Sequence, residues 1–242
     1  MKVTTRRRPS RTKPQTILLK LGGEALAPSS GRGLDGTALE RIAGEIAQLR
    51  DLGVRLGIVV GGGNFLRGRD AAFLDRVSAD QIGMLATALN GFALQSALEQ
   101  RGVPCVVQSA LSIAFTDPLH PRRARQGLAQ GNVILYVAGT GNPLVSTDTA
   151  AAIRAVELGA DVLLKGSYTD GIYDRDPKRN PKAKRYARIS FKEAIDKRLA
   201  VMDVAAFDLC SRHRLPILVF DVRVPGNLIK AVLEPGIGTR VG

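Results

Sequence analysis

Tryptophan is absent from this 242-residue chain, and aromatic residues make up only 5% of it. Proteins that grip single-stranded nucleic acid stack its bases on exposed rings, so a chain this poor in rings is not expected to bind one. Cysteine is nearly missing. Cys105 and Cys210 stand far apart in apolar surroundings, without the paired spacing of a metal site. They read as buried thiols of a reducing compartment, and a cytoplasmic location is expected. No apolar run approaches the roughly 20 residues that cross a bilayer, and no hydrophobic stretch follows the basic start. Neither a membrane-spanning helix nor a secretory leader is therefore expected. Histidine is scarce too: His120 and His213 lie in no motif.

Acids are outnumbered, 22 against 35 Lys and Arg, for a net charge of +13. The excess is concentrated at the start, where "MKVTTRRRPSRTKPQT" holds six basic residues and no acid. So little apolar surface cannot offset the entropy of folding, and residues 1–15 are expected to form a disordered basic tail. Residues 16–242 are expected to form a single domain.

Within that domain apolar runs near 16–22, 55–60, 104–108, 132–138, 161–165 and 216–221 alternate with helical patterns. Leu39, Ile42, Ile46 and Leu49 mark one helical apolar face; Ile82, Leu85, Leu89 and Leu98 mark another. This alternation predicts an α/β fold, a mainly parallel sheet covered by helices on both faces. Residues 166–189 are polar, basic and rich in turn formers, which suits a surface excursion.

In such sheets ligands bind beyond the carboxyl ends of the strands. Four segments end strands with unusual chemistry. "TILLKLGG" places Lys20 inside an apolar strand, where an unpaired buried ammonium would cost several kcal/mol. "GIVVGGGNFLRGR" stops a strand at Gly61-Gly62-Gly63, whose backbone N–H groups suit an anion. It has neither the spacing of a P-loop nor that of a dinucleotide fingerprint. "AGTGNPLVSTDTAA" ends a strand and opens a helix at Thr147-Asp148, and "DVLLKGSYTDG" ends another strand in a second lysine, Lys165. Asp148 and Asp203 each have an alternative reading as helix N-caps.

"LLKLGGEAL", "VVGGGNFLRG", "DQIGMLATALN", "AGTGNPLVSTDTAA", "LLKGSYTDGIYDRDP" and "VMDVAAF" occur in this order. Together they make the chain resemble the bacterial uridylate kinases of the amino acid kinase superfamily. The resemblance implies an αβα sandwich, ATP with Mg²⁺ as donor, UMP as acceptor, a homo-hexamer, and UTP as an inhibitor. It implies catalytic roles for Lys20, Lys165, Asp148 and Asp203, with Mg²⁺ held mainly through ATP phosphates. Lys20, Leu21, Gly22, Gly23, Gly63, Arg67, Ser167, Tyr173 and Asp176 match ATP-contacting positions. Gly62, Asp80, Thr140, Gly141, Asn142, Pro143, Leu144, Val145, Ser146 and Thr147 match UMP-contacting ones.

The chain departs from the family's pattern at Gly22, where a serine is usual, and at Leu144-Val145, where aromatics are common. The residues also fit the chemistry independently. Phosphoryl transfer needs positive charge on the transferring group. An acceptor that is itself a phosphate, with a second pKa near about 6, needs no base, and no histidine lies in any motif. Two alternatives remain at this stage: a kinase of the same fold for a carboxylate or carbamate, and a non-catalytic nucleotide-binding storage or regulatory protein.

Overall fold

The computed structural model describes residues 15–66, 71–177, 179–199 and 201–242. The tail expected over residues 1–15 thus lies, apart from Gln15, outside the described residues, as does Arg67. The strands are β1 (Thr16–Leu21), β2 (Arg55–Val60), β3 (Cys105–Ser109), β4 (Asp117–Pro118), β5 (Val133–Val137), β6 (Val162–Ser167), β7 (Arg188–Ile189), β8 (Ile217–Asp221) and β9 (Thr239–Val241). They form one sheet in the order β4-β3-β5-β2-β1-β6-β8-β9-β7. Each of the six expected apolar runs is a strand. The three others are two or three residues long, too short to show a periodic pattern. Every pairing is parallel except β8 with β9.

A parallel sheet buried on both faces needs strands that are apolar on both sides. β1 meets this with Ile17, Leu18, Leu19 and Leu21 fully buried. Leu19 and Leu21 face a layer of α1 (Gly36–Asp51), α2 (Arg76–Glu99) and α7 (Asn227–Leu233). Leu18 faces the opposite layer, with α3 (Pro121–Ala129), α4 (Thr147–Leu158), α5 (Phe191–Asp196) and α6 (Val204–Arg212). Each such side chain contributes about 1.5–3 kcal/mol by burial. Among the described residues no helix is long and apolar enough to cross a membrane.

Helix α2 departs from the expected pattern. Ile82, Leu85 and Leu89 are 43%, 54% and 52% exposed, and of the expected face only Leu98 joins the core. The buried side is instead built from Ala79, Ala86, Thr87, Ala88, Asn90, Gly91 and Leu94. The reason is close approach. A Cβ on Gly91 would collide with Val137 of β5, and one on Gly62 would lie 2.6 Å from the Gly83 carbonyl oxygen. Small side chains let α2 sit against the strand ends, and Ile82, Leu85 and Leu89 are left outside.

The contact is sealed by a buried amide pair. Asn64 and Asn90 exchange hydrogen bonds of 2.9 and 2.7 Å. Asn90 also donates to the Gly61 carbonyl (2.6 Å) and Asn64 to that of Gly33 (2.7 Å). Asn90→Ala strands the Gly61 carbonyl and the Asn64 amide without their partner in a buried place. We expect it to lower unfolding free energy by about 2–4 kcal/mol, read from urea denaturation.

Candidate active site

β1 and β6 are neighbours in register, with Lys20 directly opposite Lys165. Backbones this close, about 4.8 Å apart, set two ammonium groups side by side. Both reach one carboxylate. Lys20 Nζ lies 3.1 Å from Asp148 Oδ1, and Lys165 Nζ lies 2.5 Å from Oδ2. Burial by itself raises the Asp148 pKa, but the charges of Lys20 and Lys165 outweigh it and hold the carboxyl below its usual range. Burial, reinforced by the charge of Lys20, pushes Lys165 down to about 8 against the pull of Asp148 and Asp203. Two cations pair directly with one carboxylate, and Asp203 is engaged by Ser146, Thr149 and the Ala206 N–H, so the ammonium groups keep donors at the strand ends. An anionic ligand would satisfy them.

Asp148 is placed by the start of α4. Ser146 caps the helix, accepting from the backbone N–H of Asp148 (3.0 Å) and Thr149 (3.2 Å). The Ser146 hydroxyl in turn donates to Asp203, which also accepts from the Thr149 hydroxyl at 2.8 Å. Asp203 caps α6 as well, through the Ala206 N–H at 2.8 Å. Its cap role and its place at the site therefore coincide.

The glycines bring two turns together. After β1 comes a short 3₁₀ turn, Gly23–Leu26. A Cβ on Gly23 would lie 2.9 Å from both the Gly61 carbonyl and the Gly63 nitrogen. The Gly61 N–H donates to the Leu21 carbonyl at 2.8 Å. The Glu24 carboxylate stands between the turns, so a Cβ on Gly22 or Gly63 would lie 2.7 or 2.6 Å from it.

The loop after β5 is held by α2. The Thr87 hydroxyl accepts from the Ala138 N–H (2.6 Å), and Asp80 accepts from the Leu144 N–H (2.9 Å) and from Arg76 (3.0 Å). These anchors sit at the two non-glycine residues of the loop with positive φ, Ala138 at 62° and Leu144 at 67°. Such conformations persist only where surroundings enforce them. Between the anchors Gly141 lies against the Ala110 carbonyl, and Thr140 accepts from the Asn142 N–H at 3.2 Å. Leu144 and Val145 point outward, 68% and 41% exposed.

The structure thus gathers Lys20, Lys165, Asp148 and Asp203 with Ser146, places Thr147 in the first turn of α4 beside them in sequence, and fastens the glycine turn after β2 and the 138–146 loop to α2. Leu21 is fully buried in the core, which leaves its side chain no route to a ligand. Ser167 ends β6, its hydroxyl 3.3 Å from that of Thr169. Tyr173 and Asp176 stand on the polar excursion after β6 and bond within it, Tyr173 to Asp170 (2.7 Å) and Asp176 to Arg179 (3.6 Å). Sequence reasoning missed Thr87, Asn64 and Asn90. The available signal was the recurrence of Asp80, Thr87 and Asn90 at helical spacing in one helix.

Comparison with known proteins agrees with this geometry. The profile of the Amino acid kinase family matches residues 15–221. Uridylate kinase of Stutzerimonas stutzeri is 45% identical over 228 residues, covering 93% of this chain and 92% of that protein. The solved UMP kinase of Bacillus anthracis superposes with a TM-score of 0.91 at 34% identity, covering 95% of this chain and 96% of the other. That of Ureaplasma parvum gives 0.89 at 34% identity, covering 94% and 98%.

Asp148→Asn would leave two ammonium groups facing each other. We expect a loss of about 3–5 kcal/mol near pH 6–7. Because Lys165 already has a lowered pKa, the unfolded chain binds more protons between pH about 8 and 10.5, and stability from this group rises with pH there. Without Asp148 the lysine should lose its proton at still lower pH, so the deficit should shrink as pH rises toward 9. Denaturant melts at several pH values check this; a deficit that grows with pH contradicts it.

Proposed function

This chain belongs to the amino acid kinase family, and on that premise we infer that it transfers the γ-phosphoryl group of ATP to UMP, giving UDP. The observation that carries the reading is the pair of adjacent lysines sharing one carboxylate at the ends of β1 and β6. Their positive charge suits the transferring phosphoryl group, whose equatorial oxygens gather negative charge in the transition state. Asp148 keeps both lysines oriented. The glycine turns after β1 and β2 offer backbone N–H groups to the donor phosphates. Asp80 and the loop from Thr140 to Thr147 hold the acceptor, whose phosphate is nucleophilic without help from a base.

Mg²⁺ enters this reading with ATP. Among the described residues no cluster of three or more His, Cys, Asp or Glu side chains forms a metal site, and both Asp148 oxygens face lysines. An ion brought by the triphosphate fits these residues, with Asp203 the nearby carboxylate, and it would add charge on the transferring group. UTP carries the same uridine and would compete with UMP for the acceptor loop. A cytoplasmic location agrees with the free thiols Cys105 and Cys210.

We also propose a homo-hexamer. Its support is the outward row of α2, where Ile82, Leu85 and Leu89 join exposed Phe65 and Phe115 in one apolar surface of the kind that marks interfaces. Placing lysine at both Leu85 and Leu89 should yield smaller species in analytical ultracentrifugation.

A coupled assay of ADP release with UMP, CMP, dUMP, aspartate and carbamate tests the activity. UMP should be the preferred acceptor. Lys20→Ala and Lys165→Ala should each lower kcat by about 100-fold or more while the protein stays folded. A folded variant with near wild-type kcat would overturn the assignment.

A further inference from the structure

Tyr168 plays no part in the site as described so far. It follows β6 directly, the residue is 37% exposed, and its hydroxyl donates to the Glu24 carbonyl in the 3₁₀ turn after β1. The same carbonyl accepts from the Ala27 N–H at 3.1 Å, the bond that closes the turn. Tyr168 therefore fastens that turn from the neighbouring strand. Its ring is clamped in turn. The Arg223 guanidinium, two residues past β8, lies 4.8 Å from the ring centroid and donates to the Tyr168 carbonyl at 2.9 Å. Arg223 is itself fixed by a two-pronged pairing with Asp221, at 3.0 and 2.6 Å. Three adjacent strand ends, β1, β6 and β8, are thus tied together through one aromatic ring.

Glu24 is the residue whose carboxylate stands between Gly22 and Gly63. Any shift of its backbone moves the wall between the two glycine turns. A cradle for phosphate works only when its N–H groups are held in place before the ligand arrives, since ordering them on binding would cost affinity. The acceptor loop depends on other anchors, Thr87 and Asp80 of α2.

We propose that Tyr168 is a positioning residue for the donor triphosphate, acting through Glu24, with Arg223 holding its ring. The proposal rests on the reading that the glycine turns receive the donor phosphates. Arg223 acts as a clamp on the ring, because its charge is already matched by Asp221. The consequence is selective. Loosening this tie weakens donor binding and leaves acceptor binding alone.

Isothermal titration of a non-hydrolysable ATP analogue and, separately, of UMP into the wild-type protein, Y168F, R223Q and the double variant tests this, with thermal melts alongside. Y168F should weaken the analogue roughly threefold to tenfold, the range set by one neutral hydrogen bond, with UMP affinity unchanged. R223Q should weaken the analogue in the same direction. The double variant should resemble Y168F alone rather than the product of the two effects, since both act through one ring. Equal weakening of both ligands, or a lower Tm with unchanged analogue affinity, overturns the proposal. A wild-type protein that does not bind the analogue overturns it together with the donor reading. A wild-type protein that binds the analogue but transfers nothing to UMP overturns the functional reading and leaves the Tyr168 comparison decisive.

Discussion

Two lysines on adjacent parallel strands at the same register repel each other, and the carboxylate of Asp148 is what makes that arrangement tenable. Each of its oxygens faces one ammonium group. One carboxylate makes the direct ion pairs to both lysines, so each ammonium group, with three N–H donors, keeps donors for an anionic ligand. The pair is therefore stable enough to fold and still able to take an anion. Much of the local structure serves to hold Asp148 in place: the Ser146 cap, the hydroxyl bonds from Ser146 and Thr149 to Asp203, and the role of Asp203 in starting α6.

The second constraint is the close approach of α2 to the strand ends. Gly62, Gly91 and the alanines along its buried side bring the helix near enough for Asn90 to reach Gly61 and for Thr87 to reach Ala138. The same helix extends to Asp80 and fastens Leu144 in a left-handed conformation. One rigid element thus sets the glycine turn after β2 and the loop after β5 relative to each other. On the opposite side of the helix Ile82, Leu85 and Leu89 are left outward, so anchoring the site and exposing an apolar row have a common cause. Where chemistry is mainly positioning, tying two loops to one helix is a direct way to fix their separation.

The glycine turn after β1 is held differently. There the strand ends are tied laterally, by Tyr168 across to Glu24 and by Arg223 back to Asp221. The loop after β5 and the glycine turn after β2 lean on a helix, whereas the turn after β1 leans on its neighbouring strands. The two halves of the site can accordingly respond separately to substitution.

Residue order alone determined the six long strands, because a doubly covered parallel strand must be continuously apolar. It also marked Lys20 and Lys165, because a charge closing such a strand conflicts with burial unless a ligand cleft receives it. The glycine turns were legible for a similar reason, since runs of glycine at strand ends have few other uses. What the tertiary structure alone decided follows from distance. β4, β7 and β9 are too short to carry a period and exist only because neighbouring strands offer them hydrogen bonds. The direction of the apolar face of α2 depended on how near the helix lies to β5, which hydrophobic spacing does not encode. Asp148 could have been a simple cap. Only the register of β1 against β6, with α4 beginning over both, made it the shared partner of two lysines 128 and 17 residues away.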